Sequence, residues 1–121
     1  MVGWKETREA RGAVRDTLTL LKGAKDVTIV AVEEPNQSVA DSGPLDDVAA
    51  YLTRHCVSIS GAITRRFAGS VGVALAAIAG EKDADLIVAG GYGHSPLSEW
   101  IWGGVTRELL GSSPVCCVLS H

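Results

Sequence analysis

The sequence predicts an α/β domain: a five-stranded, doubly wound parallel sheet with helices on both faces. Three observations predict it. Apolar runs of strand length alternate with segments of helical periodicity, in the rhythm βαβαβαβαβ. Two of those runs, DVTIVAVE at 26–33 and LIVA at 86–89, are almost continuously apolar, as strands covered on both faces are. The second of them ends in glycine, at Gly90, Gly91 and Gly93, where a chain leaves a sheet sharply. Helices placed between strands imply parallel pairing through right-handed crossovers.

Composition bounds the rest. The chain has 121 residues, enough for one domain spanning 1–121. Hydrophobic residues make up 46%, ample for a core, and with only 5% aromatics the load falls on Ala, Val and Gly, which suits close helix-on-sheet packing. Net charge is −3 with no basic block, so neither nucleic acid nor an anionic membrane is an expected partner. No segment has the length of a transmembrane helix, and the first residues, MVGWKETREARGAV, lack an apolar signal core. The expected compartment is the cytoplasm. Cys56, Cys116 and Cys117 are odd in number and form neither a disulfide nor a zinc spacing; buried reduced thiols are expected.

Residues 1–4 read as the tail of a first strand, short enough that the strand is a stub or is cut at its start. Thr7 caps a helix whose apolar residues, Ala10, Ala13, Val14, Leu18 and Leu21, recur at helical spacing up to Gly23. Residues 26–33 form a central strand. The stretch 34–44 is loop, rich in Pro, Asn, Ser and Gly, and is either a cover for a site or disordered. Residues 45–56 make a second helix with Val48, Ala49 and Leu52 on one face. Asp46 and Asp47 open it, where acids belong, and His55 closes it. The alternating VSISGAIT at 57–64 reads as a strand near an edge. Residues 70–82 form an alanine-rich helix with Val71, Ala74, Leu75 and Ile78 inward. After the glycine region a short helix over 105–110 ends at Gly111, and PVCCVLS at 114–120 is the last strand.

The organising stretch is 85–107, DLIVAGGYGHSPLSEWIWGGVTR. A buried strand ends in glycine, and a helix begins on Gly103-Gly104-Val105-Thr106. Glycine permits close approach, and a helix start offers free N–H groups and partial positive charge, a combination that suits phosphate. Taken alone, the same glycines could simply make a tight connection. The pattern Gly90-x-x-Gly93, nine residues, then Gly103 resembles the nucleotide-binding signature of the universal stress protein (UspA-like) family, and GGYGHSPLSEWIWGGVTRELL resembles its bacterial tandem members. The resemblance implies a Rossmann-like or flavodoxin-like sheet of order 3-2-1-4-5. It carries the nucleotide contacts onto Gly3, Lys5, Val32, Ala89, Gly90, Gly93, Gly103, Gly104, Val105 and Thr106. It implies ATP or AMP as ligand, with Mg accompanying only ATP. It also implies a homodimer through the last strand, Val115-Cys116-Cys117-Val118-Leu119, or pairing of that edge with a tandem sister domain. The short first strand fits a chain derived from the second half of such a tandem.

Two positions depart from the family pattern. Lys5 stands where nucleotide-binding members usually carry Asp, so an acceptor is replaced by a donor. Gly104 stands where Ser or Thr is usual, although Thr106 keeps a hydroxyl nearby. Lys5 could reach a phosphate as a point charge or pair with Glu33 or Glu34. No catalytic set and no metal cluster is legible. His94 is a loop histidine or a phosphate contact; one of Trp100 and Trp102 packs on the sheet, and the other faces a ligand or an interface. The leading expectation is a nucleotide-binding sensor or regulator in stress response that is not an enzyme, with weak ATP hydrolysis the most it would add. The rival is a nucleotide-free dimeric interaction module of the same fold. An enzyme on a similar sheet is disfavoured. The chain lacks a flavin-type Ser/Thr loop, an S-G-G-x-D pyrophosphatase loop and receiver-type acids after its first strand.

Overall fold

The computed structural model describes residues 1–33, 35, 45–91, 107, 109, 111 and 113–120. The elements run β1 (Val2–Trp4), α1 (Arg8–Asp16), α2 (Leu18–Gly23), β2 (Val27–Glu33), α3 (Leu45–Arg54), β3 (Ile59–Arg66), α4 (Val71–Glu81), β4 (Leu86–Gly90) and β5 (Cys116–Ser120). The strands form one sheet of order β3-β2-β1-β4-β5, and every pairing is parallel. This is the predicted doubly wound sheet. The last predicted helix, 105–110, falls mostly outside the described residues; Arg107, Leu109 and Gly111 are helical. Among the described residues no helix is long and apolar enough to cross a membrane.

Alternation along the strands builds two cores. Val2, Trp4, Val27, Ile29 and Val88 face one side and pack with α1 and α3 through Ala10, Ala13, Val14, Val48 and Leu52. Val30 and Ile87 face the other and pack with Leu75, Ile78 and Ala79 of α4 and with Leu109. Ile29, Val30, Leu52, Ala79, Ile87 and Val88 are fully buried. Burying one such branched side chain stabilises the fold by about 1.5–3 kcal/mol, so these two layers carry the architecture.

The expected cap at Thr7 is present, and Ser70, read from the sequence as the first helical residue, proves to be a second cap. The Thr7 hydroxyl accepts from the Ala10 N–H at 3.2 Å, and the Ser70 hydroxyl accepts from Val73 at 3.2 Å. Four expectations need correction. The first predicted helix is two helices, because the Thr17 hydroxyl donates to the Ala13 carbonyl at 2.7 Å and the backbone breaks there. The second predicted helix ends at Arg54, two residues early, with Cys56 in the left-handed region at φ 63°. The third strand begins at Ile59, not Val57, because the Val57 N–H closes the end of α3 on the Leu52 carbonyl at 3.0 Å. The cysteines are free but not buried. Cys56 is exposed on its turn, Cys116 is exposed at the start of an edge strand, and Cys117 is half-buried. His55 lies at the end of α3 with its ring centroid 4.5 Å from that of Tyr51.

Two glycines in the central strands differ in what surrounds them. A Cβ at Gly90 would lie 2.6 Å from the Ala10 nitrogen and 2.7 Å from the Glu9 carbonyl carbon, both backbone atoms of α1. A Cβ at Gly3 would press on the movable end of Leu75, at 3.0 Å, and make an ordinary contact with the Ala89 Cβ at 3.6 Å. We therefore expect Gly90→Ala to destabilise the domain by about 1–3 kcal/mol, the range for overpacking a core that cannot yield. Gly3→Ala should cost less than about 1 kcal/mol, because one side chain can adjust. Urea denaturation midpoints check this; equal losses in the two variants would refute it.

Candidate functional site

A ligand on a doubly wound sheet sits beyond the carboxyl ends of the strands, where the strand order reverses. Here the chain runs outward from β1 to β2 and β3, then returns to β4 on the other side of β1. The switch point therefore lies between β1 and β4. Register sets Gly3 beside Val30 on one flank and Ala89 on the other, with Trp4 beside Ala31.

Among the sequence-predicted site residues, Gly3, Lys5, Val32, Ala89 and Gly90 are described. Gly93, Gly103, Gly104, Val105 and Thr106 lie outside the described residues, as do His94, Trp100, Trp102 and most of the loop 34–44. Three of the described set share one face. Gly3 turns its bare α-carbon toward Leu75 of α4, with the Ala89 Cβ 3.6 Å from where its own would be. Val32 packs half-buried into the same α4-side cluster. Lys5 follows β1 directly; it is half-buried, and its carbonyl accepts the Thr7 N–H at 2.7 Å to turn the chain into α1.

Gly90 faces the opposite side, and the α1 backbone occupies the space where its side chain would be. Its glycine identity thus has a purely internal cause. The next residue is similarly committed: the Gly91 N–H donates to the Ser120 carbonyl at 2.7 Å. Glu33, at the end of β2, is buried and lies 3.9 Å from the Arg66 guanidinium at the end of β3. Sequence reading ended the third strand at residue 64 and gave Arg66 no role. The sheet register supplies one by setting Glu33 opposite Arg66.

Sequence reading also passed over Trp4 as strand filler. Among the described residues its indole Nε1 is the one buried side-chain nitrogen or oxygen with no hydrogen-bond partner. Its position one residue before Lys5, on the face opposite Gly3, was the available signal. Among the described residues no group of three or more His, Cys, Asp or Glu could hold a metal ion.

At the far edge of the carboxyl end, the Ser120 hydroxyl donates to Asp16 Oδ2 at 2.7 Å, tying β5 to the end of α1. That bond holds the Asp16 carboxyl below its ordinary range. Partial desolvation opposes it, and the neighbouring Arg15 assists it by hydrogen bond and charge.

Comparison with known proteins places this geometry. The family model described as the universal stress protein family matches residues 2–121. The chain belongs to the universal stress protein family. No curated protein matches it in a sequence search. Among solved structures it is similar to the universal stress protein UspA from Lactobacillus plantarum, with a TM-score of 0.73, 12% identity, and 99% of this chain and 96% of that one covered. A universal stress protein family member from Burkholderia pseudomallei gives a TM-score of 0.71 at 19% identity, covering 98% and 92%. A universal stress protein solved in complex with cAMP gives 0.63 at 19% identity, covering 99% and 94%. At such identities the likeness establishes the fold.

The Asp16 contact yields a pH prediction. A carboxyl whose folded-state pKa is depressed adds stability above its unfolded value, and that contribution is lost as pH falls through the folded one. Ser120→Ala should therefore lower the denaturation midpoint at about pH 7, and the difference from the parent should shrink below about pH 3. A difference independent of pH, read from parallel denaturation series, would rule out the assigned contact.

Proposed function

We propose that this universal stress protein domain binds an adenine nucleotide at the β1/β4 switch point and acts as a sensor or regulator, not as a catalyst. The observation that carries the reading is the convergence of Gly3, Val32 and Ala89 on the α4 face at the carboxyl end of the sheet. They come from three strands, and they are the positions to which the family's nucleotide contacts carry over. The relative solved with cAMP supports an adenine ligand for this fold. Lys5 would reach phosphate as a donor, and ATP would bring Mg with it. A non-catalytic role is supported by Glu33, a buried carboxylate near this end. Alternation sets it on the face opposite Val32, with Arg66 as its partner.

A second reading rests on a different observation. β5 ends the sheet order, and its Cys117, Val118 and Leu119 are only half-buried. An apolar edge of this kind favours pairing with a second copy or a sister domain. In that reading the domain is a dimeric interaction module, and nucleotide is dispensable.

Mass spectrometry of the supernatant from denatured protein, with calorimetric titration of ATP, AMP and cAMP, tests the first reading. Gly103→Val should abolish binding. Lys5→Ala removes the donor assigned to phosphate and should weaken binding roughly fivefold, the worth of one hydrogen bond of about 1 kcal/mol. No bound nucleotide, and no titration with the parent, would refute nucleotide binding. The interaction module would then remain. In that case light scattering should show a dimer that Cys116→Lys, a charge on an exposed edge position, converts to monomer.

A further inference from the structure

The two edges of the sheet differ in chemistry. β5, at one edge, is five residues long and apolar up to Ser120. β3, at the other, is the longest strand at eight residues and carries two arginines and no acid. Near its start the register with β2 shifts between Val27 and Thr28, which leaves Ser60 unmatched. The Ser60 hydroxyl turns back onto β2, donating to the Val27 carbonyl at 3.3 Å and meeting the Thr28 hydroxyl at 3.0 Å. From Gly61 to Arg66 the register is then unbroken.

One hydrogen bond tells which backbone groups of this run face outward. The Phe67 N–H donates to the Glu33 carbonyl at 3.1 Å. In a strand the N–H and C=O of one residue point to the same side, and those of the next residue to the other. Ile63, Arg65 and Phe67 therefore turn theirs to β2, whereas Ala62, Thr64 and Arg66 turn theirs away from the sheet. These last three residues are exposed, and β3 ends the strand order. A row of donors and acceptors at ladder spacing is a template for one more strand. Charge selects which strand. Arg65 pairs with Glu81 of α4 at 3.2 Å, both side chains lying at the surface. The Arg66 side chain is 72% exposed and stands 3.9 Å from Glu33, whose carboxylate is buried. Arg66 thus presents its charge to solvent while its counter-charge lies inside. Pairing β3 with β3 of a second copy would bring four arginines to one short junction, so the edge disfavours its own copy and favours an acidic partner.

We propose that the free edge of β3 binds an extended acidic segment of another protein as a sixth strand. Its main chain would pair with Ala62, Thr64 and Arg66. Its carboxylates would lie beside Arg65 on the α4 face and Arg66 on the opposite face, as cross-strand neighbours of opposite charge. The proposal does not rest on the nucleotide reading, because β2 separates this edge from the β1/β4 switch point.

Three blocked hexapeptides, titrated into the full chain, separate the contributions: one alternating Glu and Val, one alternating Lys and Val, and the Glu-Val peptide with every amide nitrogen methylated. The readout is the backbone amides of Ala62, Thr64 and Arg66, by chemical shift and by exchange with solvent. The Glu-Val peptide should bind with a dissociation constant of millimolar order or below. At about ten times that concentration it should slow exchange at these three amides about tenfold. Ile63 and Arg65, whose amides already face β2, should change little. The Lys-Val peptide should bind at least about tenfold more weakly, since two attractive pairs become repulsive. The methylated peptide, without main-chain donors, should not bind. Arg65→Gln breaks only an exposed ion pair and should weaken the Glu-Val peptide about threefold without weakening the Lys-Val peptide. Thr64→Pro removes an outward N–H and no bond to β2, and should abolish binding. Unmoved amides at Ala62, Thr64 and Arg66 overturn the proposal. So does equal affinity for the Glu and Lys peptides, binding of the methylated peptide, or protection of the three amides that rises with protein concentration alone, which would assign the edge to a second copy.

Discussion

The tightest constraint in this fold is backbone against backbone, where the first turn of α1 rests on Gly90 at the end of β4. No side chain separates them; a methyl group at Gly90 would come within 2.6 Å of the Ala10 nitrogen. Most of the arrangement follows. With α1 drawn down onto β4, its inner residues Ala10, Ala13 and Val14 pack with Val88 on the strand side. The N-terminus of α1 must then turn within a few residues of β1, which the Lys5 carbonyl and the Thr7 cap accomplish. On the same face α3 covers β2 and β3. Between the two helices only β1 lies beneath, and its large side chain there, Trp4, lines the cavity that remains.

β1 is three residues long and serves both faces. Val2 and Trp4 project toward α1 and α3, while Gly3 turns to α4. Paired to β2 on one side and β4 on the other, it is held despite its length. Adjacent positions on a strand point to opposite faces, so a single step from Gly3 to Trp4 crosses the molecule. On the α4 face Leu75 packs against the bare α-carbon of Gly3, whereas on the other face Trp4 carries an indole N–H with no partner among the described residues.

Much of this was legible in the sequence. Continuous apolar runs identified β2 and β4 because burial on both faces leaves no polar position to confuse the period, and the alternating pattern placed β3 at an edge. The cap at Thr7 was legible as a hydroxyl before helical periodicity, whereas Ser70 was read as the first residue of its helix. What was not legible came from contacts between distant segments or from a local side-chain bond overriding periodicity. Thr17 interrupts a helical pattern by bonding to Ala13, and Val57 looks like strand but closes α3. The adjacent cysteines look like core because they sit in an apolar run, yet an edge strand exposes Cys116 and half-exposes Cys117. For the candidate site, the resemblance named Gly3, Val32 and Ala89 among ten positions; the register sets Gly3 beside Ala89, and Val32 lies on the same α4 face. It could not reveal that Gly90 is required by α1, nor that Trp4 lines a cavity, because both depend on where a helix comes to rest.

The carboxyl end of the sheet also links the crevice to the exposed edge. Directly after β4, the Gly91 N–H bonds to the Ser120 carbonyl at the end of β5, and the Ser120 hydroxyl bonds back to α1 at Asp16. The Gly91–Ser120 bond thus extends the β4–β5 ladder by one residue, and a charge-assisted hydrogen bond ties the end of β5 to α1. A molecule bound at the end of β4 and a chain paired along β5 would press on the same short linkage. Coupling between two sites requires that each bind one arrangement of a shared element better than another. Gly90 is too tightly enclosed by α1 to be that element. The Gly91–Ser120–Asp16 linkage is not enclosed: Asp16 is exposed and Ser120 is half-buried, so its bonds can break without opening either core. If the proposed ligand sensing and edge pairing both occur, this linkage is where they would meet.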